Sequence, residues 1–152
     1  MKSTAERLKK WRVQSLQKKQ YFSSVNNKPY AYIITALFAS LAGTYLDLIF
    51  VGKGIYHFPI RLFPEIFTIN IVFTLFFLPL FTILFLFVAK RVHFFIRWMI
   101  ILITGAAIFF IEQITEQLGW FVHDTDWSHV YSFIGYMLFL FMVWKLFLFF
   151  YR

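Results

Sequence analysis

The chain has 152 residues, of which 61% are hydrophobic and 14% are charged. A soluble globular domain carries about 25% charged residues, and a chain of this length forms a core too small to bury so much apolar surface. The composition therefore excludes a soluble protein and indicates an integral membrane protein. The chain contains no cysteine, which excludes disulfide bonds, thiol catalysis and cysteine-based metal sites.

The first 29 residues are polar and strongly basic, with Glu6 as the single acidic residue. Basic side chains near an anionic inner leaflet each contribute about 1 kcal/mol of attraction. Two interpretations of residues 1–29 remain open: a helix lying on the membrane surface, or a cytoplasmic tail whose charge only sets orientation. The basic residues predicted to contact the membrane surface are Lys9, Lys10, Arg12, Lys18 and Lys19.

Four apolar stretches follow, and together they form one predicted membrane domain, residues 30–152. A helix of about 20 residues crosses the hydrocarbon core of a bilayer, and each stretch is long enough to do so. The predicted spans are residues 30–51, 65–89, 95–119 and 129–151. Pro79 lies near the middle of the second span, where its missing backbone donor is expected to kink the helix.

Positive charges are distributed asymmetrically around these spans. Lys53 and Arg61 alone lie on the side of the first and third connections, and all other Lys and Arg residues lie on the side of the termini. Short segments rich in Lys and Arg stay in the cytoplasm, so both termini are predicted to be cytoplasmic. The sequence thus predicts an all-α integral membrane protein, a bundle of four transmembrane helices.

Acidic residues show the opposite asymmetry, since all except Glu6 lie in the half of the domain predicted to face outward. A charged side chain at mid-bilayer costs roughly 2.5–3.5 kcal/mol on insertion scales, so these acids need partners. Counting about 1.5 Å of rise per residue places polar groups of all four spans in one layer. The predicted intramembrane polar cluster consists of Asp47, Arg61, Glu65, Asn70, Glu112, Glu116, Ser132 and Tyr136.

Two local patterns give this layer its expected pairing. Glu112 and Glu116 are four residues apart and therefore share one face of the third span. An ion pair of Arg61 with Glu65 or Glu112 is the expected way to neutralise the acids. Pro64 and Glu65 also resemble a helix start, where an acidic side chain compensates the helix dipole.

Three functional interpretations of the polar cluster remain open. The first, which we favour, is a structural or regulatory membrane subunit in which paired charges hold the helices in register. The second is a site centred on Glu112 that binds or transports a proton, a cation or a small ligand, because acids facing a bundle interior often mark ion pathways. The third is a membrane-embedded enzyme, although no catalytic residues are predicted. The expected partners are the lipid bilayer and a second copy of the chain or another membrane protein; nucleic acid is not expected.

Histidines and aspartates in or next to the two predicted outer connections are candidate metal ligands beside Glu112. Their spacing matches no known metal-binding motif, and an aqueous loop of this composition is usually solvated. The sequence therefore predicts neither a metal site nor a cofactor. The candidate ligands are His57, His123, Asp124, Asp126 and His129.

Residues 43–65, GTYLDLIFVGKGIYHFPIRLFPE, end in an Arg-x-Phe-Pro-Glu element. With this element, the chain resembles a family of small multi-pass membrane proteins of endospore-forming bacteria that is named only by a locus tag. Further residues that carry the resemblance are Pro79, Glu112, Gly119, Trp127, Tyr131 and Ser132. The resemblance covers residues 30–150 and implies a protein of the bacterial plasma membrane. It implies no activity, substrate or cofactor.

Overall fold

Helices make up most of the chain in the computed structural model, which describes residues 28–124 and 127–152. The elements in chain order are α1 (Pro29–Gly52), β1 (Tyr56–His57), a π-helical segment (Phe73–Phe77), α2 (Leu78–Ala89), α3 (Phe94–Gln117), β2 (Val122–His123) and α4 (His129–Tyr151). Outside the described residues lie Asp126 and the predicted membrane-surface residues Lys9, Lys10, Arg12, Lys18 and Lys19. The all-α class expected from the sequence is confirmed, with one very short β-ladder added to it.

Within the described part of the chain, three helices, α1, α3 and α4, are long and apolar enough to cross a membrane. The π-helical segment and α2 form one shorter apolar helix, Phe73–Ala89. Large apolar side chains cover the outward faces of the helices; Leu41 is 70% exposed and Phe95 is 79% exposed. Contiguous apolar surface of this extent is rare on soluble monomers, so these helix faces support a membrane protein.

The second apolar helix begins later than the sequence analysis expected. Residues 64–66 form a turn, residues 67–70 are irregular, and helical structure starts at Ile71. Asn70 Oδ1 accepts a hydrogen bond from the backbone N–H of Phe73 at 3.3 Å, which is the contact that a helix N-cap makes. Glu65 lies exposed in the preceding turns and does not occupy the first turn of the helix.

Arg61 stabilises this irregular segment. Its guanidinium donates hydrogen bonds to the backbone carbonyls of Phe58, Pro64 and Phe67, at 2.6, 3.1 and 2.6 Å. Five N–H donors in one planar group suit it to satisfy several carbonyls that turns leave unpaired. The expected ion pair of Arg61 with Glu65 or Glu112 is replaced by these backbone contacts.

Pro79 lies at the change from π-helical to α-helical geometry. Proline has no N–H and its ring crowds the carbonyl four residues earlier, and a wider π turn relieves that crowding. The Leu78 N–H bonds to the carbonyl of Phe73, five residues back. In the same pattern the N–H of residue 79 would bond to the carbonyl of Thr74, but proline has no N–H. Ser40 Oγ of α1 donates a hydrogen bond to that carbonyl instead, at 2.7 Å.

Small residues on α1 allow α2 to approach closely at this junction. A Cβ added to Gly43 would lie 2.3 Å from Leu78 Cδ2, so the glycine is part of the contact between the two helices. The apolar core continues from α1 and α2 to α3 and α4; its largest fully buried side chains include Leu86, Ile101 and Phe147.

The ends of the bundle differ in character. At one end, which we call the terminal end, Lys28 donates to the backbone carbonyl of Arg152, and Lys90 donates to Tyr151 OH at 2.5 Å. The start of α1, the turn between α2 and α3 and the end of α4 therefore lie together there. The opposite end carries β1 and β2, and we call it the site end.

Helices α1 and α3 both end at the site end in the same kind of turn. Gly54 and Gly119 each have a φ of +73°. The residue after each glycine donates its N–H to a carbonyl five residues earlier, Ile55 to Phe50 and Trp120 to Thr115, both at 2.9 Å. These are the hydrogen bonds of a Schellman motif, in which glycine is favoured because side chains are strained at positive φ.

These two turns direct the chain into the short β-ladder. β1 and β2 pair antiparallel, with Tyr56 opposite His123 and His57 opposite Val122. The Asp124 N–H extends the ladder by donating to the carbonyl of Ile55 at 2.9 Å. The ladder thus places Tyr56 near the end of α1 and His123 near the end of α3.

Candidate functional site

Two glutamates and two histidines meet at the site end. Glu112 and Glu116 lie one helical turn apart near the end of α3, and Glu112 is only 5% exposed. His123 comes from β2, and His129 is the first residue of α4. We call Glu112, Glu116, His123 and His129 the His–Glu cluster; it joins three elements of the structure.

Each histidine of the cluster lies between the two carboxylates. His123 Nε2 is 3.2 Å from Glu112 Oε1, and His123 Nδ1 is 3.3 Å from Glu116 Oε1. His129 Nδ1 is 3.7 Å from Glu112 Oε1, and His129 Nε2 is 3.5 Å from Glu116 Oε2. Both nitrogens of both rings therefore face carboxylate oxygens. The backbone N–H of His123 also donates to Glu116 Oε1 at 3.1 Å, which ties β2 to the end of α3.

Two buried atoms at the centre of the cluster, Glu112 Oε1 and His129 Nδ1, make no contact of good hydrogen-bond geometry among the described residues, although histidine nitrogens lie 3.2 and 3.7 Å from that oxygen. The other oxygen of Glu112 accepts a hydrogen bond from Tyr136 OH of α4. A buried acceptor left without a donor costs about 1–3 kcal/mol, and more when it is charged. When the neighbouring histidines are neutral, Glu112 Oε1 therefore has an unmet requirement for positive charge.

Lysine and arginine do not meet this requirement. Among the described residues, the ion pairs of Glu112 and Glu116 within 4.0 Å are made with His123 and His129. Histidine is charged only when both its nitrogens carry protons. With neutral histidines the cluster carries two formal negative charges, which either protons or a cation from outside the chain must balance.

Three members of the cluster have the geometry of a metal-binding group. Glu112, His123 and His129 each offer a ligand atom, and these atoms lie within 4.8 Å of one another. Two imidazoles and a carboxylate are common ligands of zinc and other transition metals. The sequence predicts no metal site because the spacing of these three residues fits no known motif. The group forms only when the Gly119 turn and β2 return the chain to α3.

Aromatic side chains hold His123 in this position. The ring of Trp127 stacks on it, with ring centroids 5.7 Å apart and planes at 9°. Phe121 meets it edge-on, with centroids 4.5 Å apart. Trp127 Nε1 in turn donates to Ser132 Oγ of α4 at 3.0 Å, so Ser132 fixes the indole that covers the histidine.

A third carboxylate, Asp47 of α1, borders the cluster through Tyr56. Tyr56 OH donates to Asp47 Oδ1 at 2.5 Å, and the Tyr56 ring lies edge-on to His123 with centroids 6.0 Å apart. Burial raises the pKa of the Tyr56 phenol above its ordinary value, and the charge of Asp47 raises it further. The phenol therefore stays protonated and acts as a donor. Asp47 Oδ2 is buried without a hydrogen-bond partner among the described residues.

The predicted polar cluster divides into two groups in the structure. Glu112 accepts a hydrogen bond from Tyr136 and is linked to Glu116 through His123 and His129. Ser132 adjoins this group through Trp127, and Asp47 adjoins it through Tyr56. Arg61, Glu65 and Asn70 belong to the segment before the second apolar helix. Of the candidate ligands, His57 and Asp124 are exposed and lie outside the metal-binding group. The sequence does contain a signal for His123 and His129: both are histidines that follow closely after two glutamates spaced by one helical turn.

Comparison of the chain with protein-family models, with curated proteins and with solved structures finds no match in any of the three.

Proposed function

We propose that this chain is a small multi-pass membrane protein that binds a cation at the His–Glu cluster. The observation that carries the proposal is the convergence of two unpartnered buried atoms, Glu112 Oε1 and His129 Nδ1, in a cluster whose two glutamates contact no Lys or Arg of the described residues. A cation at this position supplies the charge that the chain itself does not place there. It also removes the cost of a bare buried carboxylate oxygen.

The proposed arrangement in the membrane has four spans, with Phe73–Ala89 as the fourth. That helix is about 25 Å long at 1.5 Å per residue, near the lower limit for a span. We further propose that both termini are cytoplasmic in a bacterial plasma membrane, because the terminal end carries Lys28, Lys90, Arg91 and Arg152. The His–Glu cluster then faces the outside of the cell.

A structural or regulatory subunit is the second candidate function. The cluster links α3, β2 and α4, and the β-ladder extends this link toward α1. Histidines protonated between the glutamates would hold the site end together without any added ion. In that case the cluster supports the bundle or a contact with a partner, and cations have no effect on stability.

Thermal unfolding of the full-length protein in detergent tests cation binding. The protein carries no polyhistidine tag, is stripped with a chelator, and is unfolded with Na⁺, K⁺, Mg²⁺, Ca²⁺, Mn²⁺ or Zn²⁺ added separately. We expect at least one of these cations to raise the Tm. A ligand that binds only the native state contributes about 2.7 kcal/mol at 100 times its Kd.

Two glutamine variants make the test specific. Glu112→Gln removes the central charge at nearly constant volume and should abolish the shift in Tm. Glu65→Gln changes an exposed glutamate away from the cluster and should retain it. An unchanged wild-type Tm with every cation, or an equal shift in Glu112→Gln, contradicts the proposal. A destabilised Glu112→Gln variant with no cation effect in the wild type supports the structural subunit instead.

A further inference from the structure

We infer that the cation is a divalent first-row transition metal of the zinc type, bound by Glu112 Oε1, His123 Nε2 and His129 Nδ1. The inference rests on the proposed cation binding and names the class of ion and the ligand atoms. Glu116 has a separate role, as a carboxylate that orients both histidines from the side opposite the metal.

Glu116 determines which nitrogen of each ring is free to bind a metal. A neutral imidazole carries one N–H and one lone pair. Glu116 Oε1 lies 3.3 Å from His123 Nδ1, and Glu116 Oε2 lies 3.5 Å from His129 Nε2. When each N–H faces this carboxylate, the lone pairs of His123 Nε2 and His129 Nδ1 are on the side of Glu112. Metal-binding histidines are commonly held by a carboxylate in this way, which fixes the tautomer and raises the basicity of the ligand.

Three acceptors then converge with no donor among them. Glu112 Oε1 is 3.2 Å from His123 Nε2 and 3.7 Å from His129 Nδ1. Ligand atoms around tetrahedral zinc, with bonds of about 2.0–2.1 Å, lie roughly 3.3 Å apart. The two distances fall on either side of that value, and the two histidine nitrogens lie within 4.8 Å of each other, so the site closes around an ion when His129 moves toward the other two ligands. Glu112 is available through Oε1 alone because Tyr136 OH occupies Oε2.

The ligand types select among cations. Calcium and magnesium are bound by oxygen ligands, whereas two of the three ligands here are imidazole nitrogens. Imidazole and carboxylate together suit zinc and its first-row neighbours. A charge of +2 also balances Glu112 and Glu116, so that the occupied cluster is formally neutral. A neutral cluster is the least costly state for buried groups near a membrane.

Visible absorption of Co²⁺ tests the ligand set on the untagged full-length protein in detergent. Cobalt reports a tetrahedral site of nitrogen and oxygen ligands by intense d–d bands, and zinc should displace it. We expect one Co²⁺ per chain in the wild type. Glu112→Gln and His129→Gln should each weaken binding by more than about 100-fold, and Glu116→Gln by about 10- to 100-fold with the bands retained.

His57→Gln is the matched control, because His57 is an exposed histidine on the strand paired with β2. This variant should bind Co²⁺ as the wild type does. Equal binding in Glu112→Gln and His57→Gln would assign the metal to surface histidines and overturn the inference. A wild type without d–d bands, but with a Tm raised by Na⁺, K⁺, Mg²⁺ or Ca²⁺, would overturn the inference and leave cation binding standing.

X-ray absorption of the zinc-loaded wild type keeps the test independent of whether the variants fold. Scattering from two imidazole rings, with the remaining ligands oxygen, is the expected result. A spectrum with oxygen ligands alone or with a single imidazole would overturn the proposed ligand set.

Discussion

The two carboxylate oxygens of Glu112 contact different partners. Tyr136 OH holds Oε2, and this contact fixes the rotation of the carboxylate so that Oε1 faces His123 and His129. Glu116, one turn further along α3, contacts the same two rings through their other nitrogens. In the proposed metal site, the two glutamates serve as metal ligand and as orienting group because they face opposite nitrogens of the same two rings.

Tyr56→Phe is predicted to destabilise the protein through Asp47. The hydroxyl of Tyr56 donates to Asp47 Oδ1, and Oδ2 already has no hydrogen-bond partner among the described residues. Removing the donor leaves the partly buried Asp47 carboxylate without a described partner, at a cost of about 1–3 kcal/mol. We expect a lower Tm in detergent. Tyr45→Phe is the control, because Tyr45 lies in α1 and is 67% exposed. This variant should leave the Tm unchanged.

A double variant separates this charge effect from loss of packing. Asp47→Asn in the Tyr56→Phe background should recover part of the lost Tm, because a neutral amide is cheaper to bury than a carboxylate. Packing of the ring on Phe121, with centroids 4.9 Å apart, is the same in both backgrounds. No recovery would show that the hydroxyl acts on something other than the Asp47 charge.

At the scale of elements, the turn after α3 connects the two halves of the His–Glu cluster. Gly119 reverses the chain so that His123 returns to Glu116 within a few residues. The turn after α1 likewise brings Tyr56 back to Asp47. Each pairing is local in sequence, and the β-ladder then places the two local pairs side by side.

Gly119→Ala is predicted to lower both stability and metal affinity. A side chain at a φ of +73° costs roughly 1–2 kcal/mol, although a Cβ there meets no atom within 4 Å. The cost is therefore conformational and not steric, and a Tm lower by about 2–8 °C is expected in detergent. Co²⁺ affinity should also fall, because β2 depends on this turn.

Two substitutions check the cause of that effect. Gly52→Ala, in α1 and also with open space around its Cβ, should preserve or slightly raise the Tm, since alanine favours helix. Gly119→Asn should cost less than Gly119→Ala, because asparagine tolerates positive φ better. Equal losses in Gly52→Ala and Gly119→Ala would contradict the conformational explanation.

The lengths of the apolar stretches predicted the bounds of the long helices well. The start of the second helix was harder to predict because it depends on turns. The predicted spans 30–51, 95–119 and 129–151 lie within two residues of α1, α3 and α4. The start of the second helix was misplaced because Pro64 and Glu65 have the residue types of a helix start. Two features decided the outcome: the contacts of Arg61 with backbone carbonyls and the cap made by Asn70. Neither can be inferred from residue types alone.

The positions of the site's carboxylates could be predicted from the sequence more readily than those of its histidines. Counting helical rise placed Asp47 and Glu112 at similar depth, which needs only the helix geometry and the order of spans. His123 and His129 lie on either side of a connection between helices, and their approach to Glu112 depends on the β-ladder and the Gly119 turn. These contacts depend on the geometry of a turn and a β-ladder, which residue types and their spacing do not specify.

At the scale of the whole molecule, cysteine labelling tests both the number of spans and the orientation. The chain has no cysteine of its own, so a single introduced cysteine reports one position. Thr68→Cys lies in the exposed segment at the site end, and His93→Cys lies in the exposed turn before α3 at the terminal end. A membrane-impermeant maleimide should label Thr68→Cys in intact bacterial cells, and His93→Cys only after the cells are permeabilised.

Each other labelling pattern has a definite meaning for the proposal. If both cysteines react from the same side, then Phe73–Ala89 does not cross the membrane and the protein has three spans. If His93→Cys alone reacts in intact cells, the orientation is inverted, and the His–Glu cluster would draw its metal from the cytoplasm. With the predicted pattern the cluster meets ions outside the cell, so the metal supplied in the growth medium should determine its occupancy. The unmodified cysteine-free chain must show no label before or after permeabilisation, because any signal from it would come from another protein.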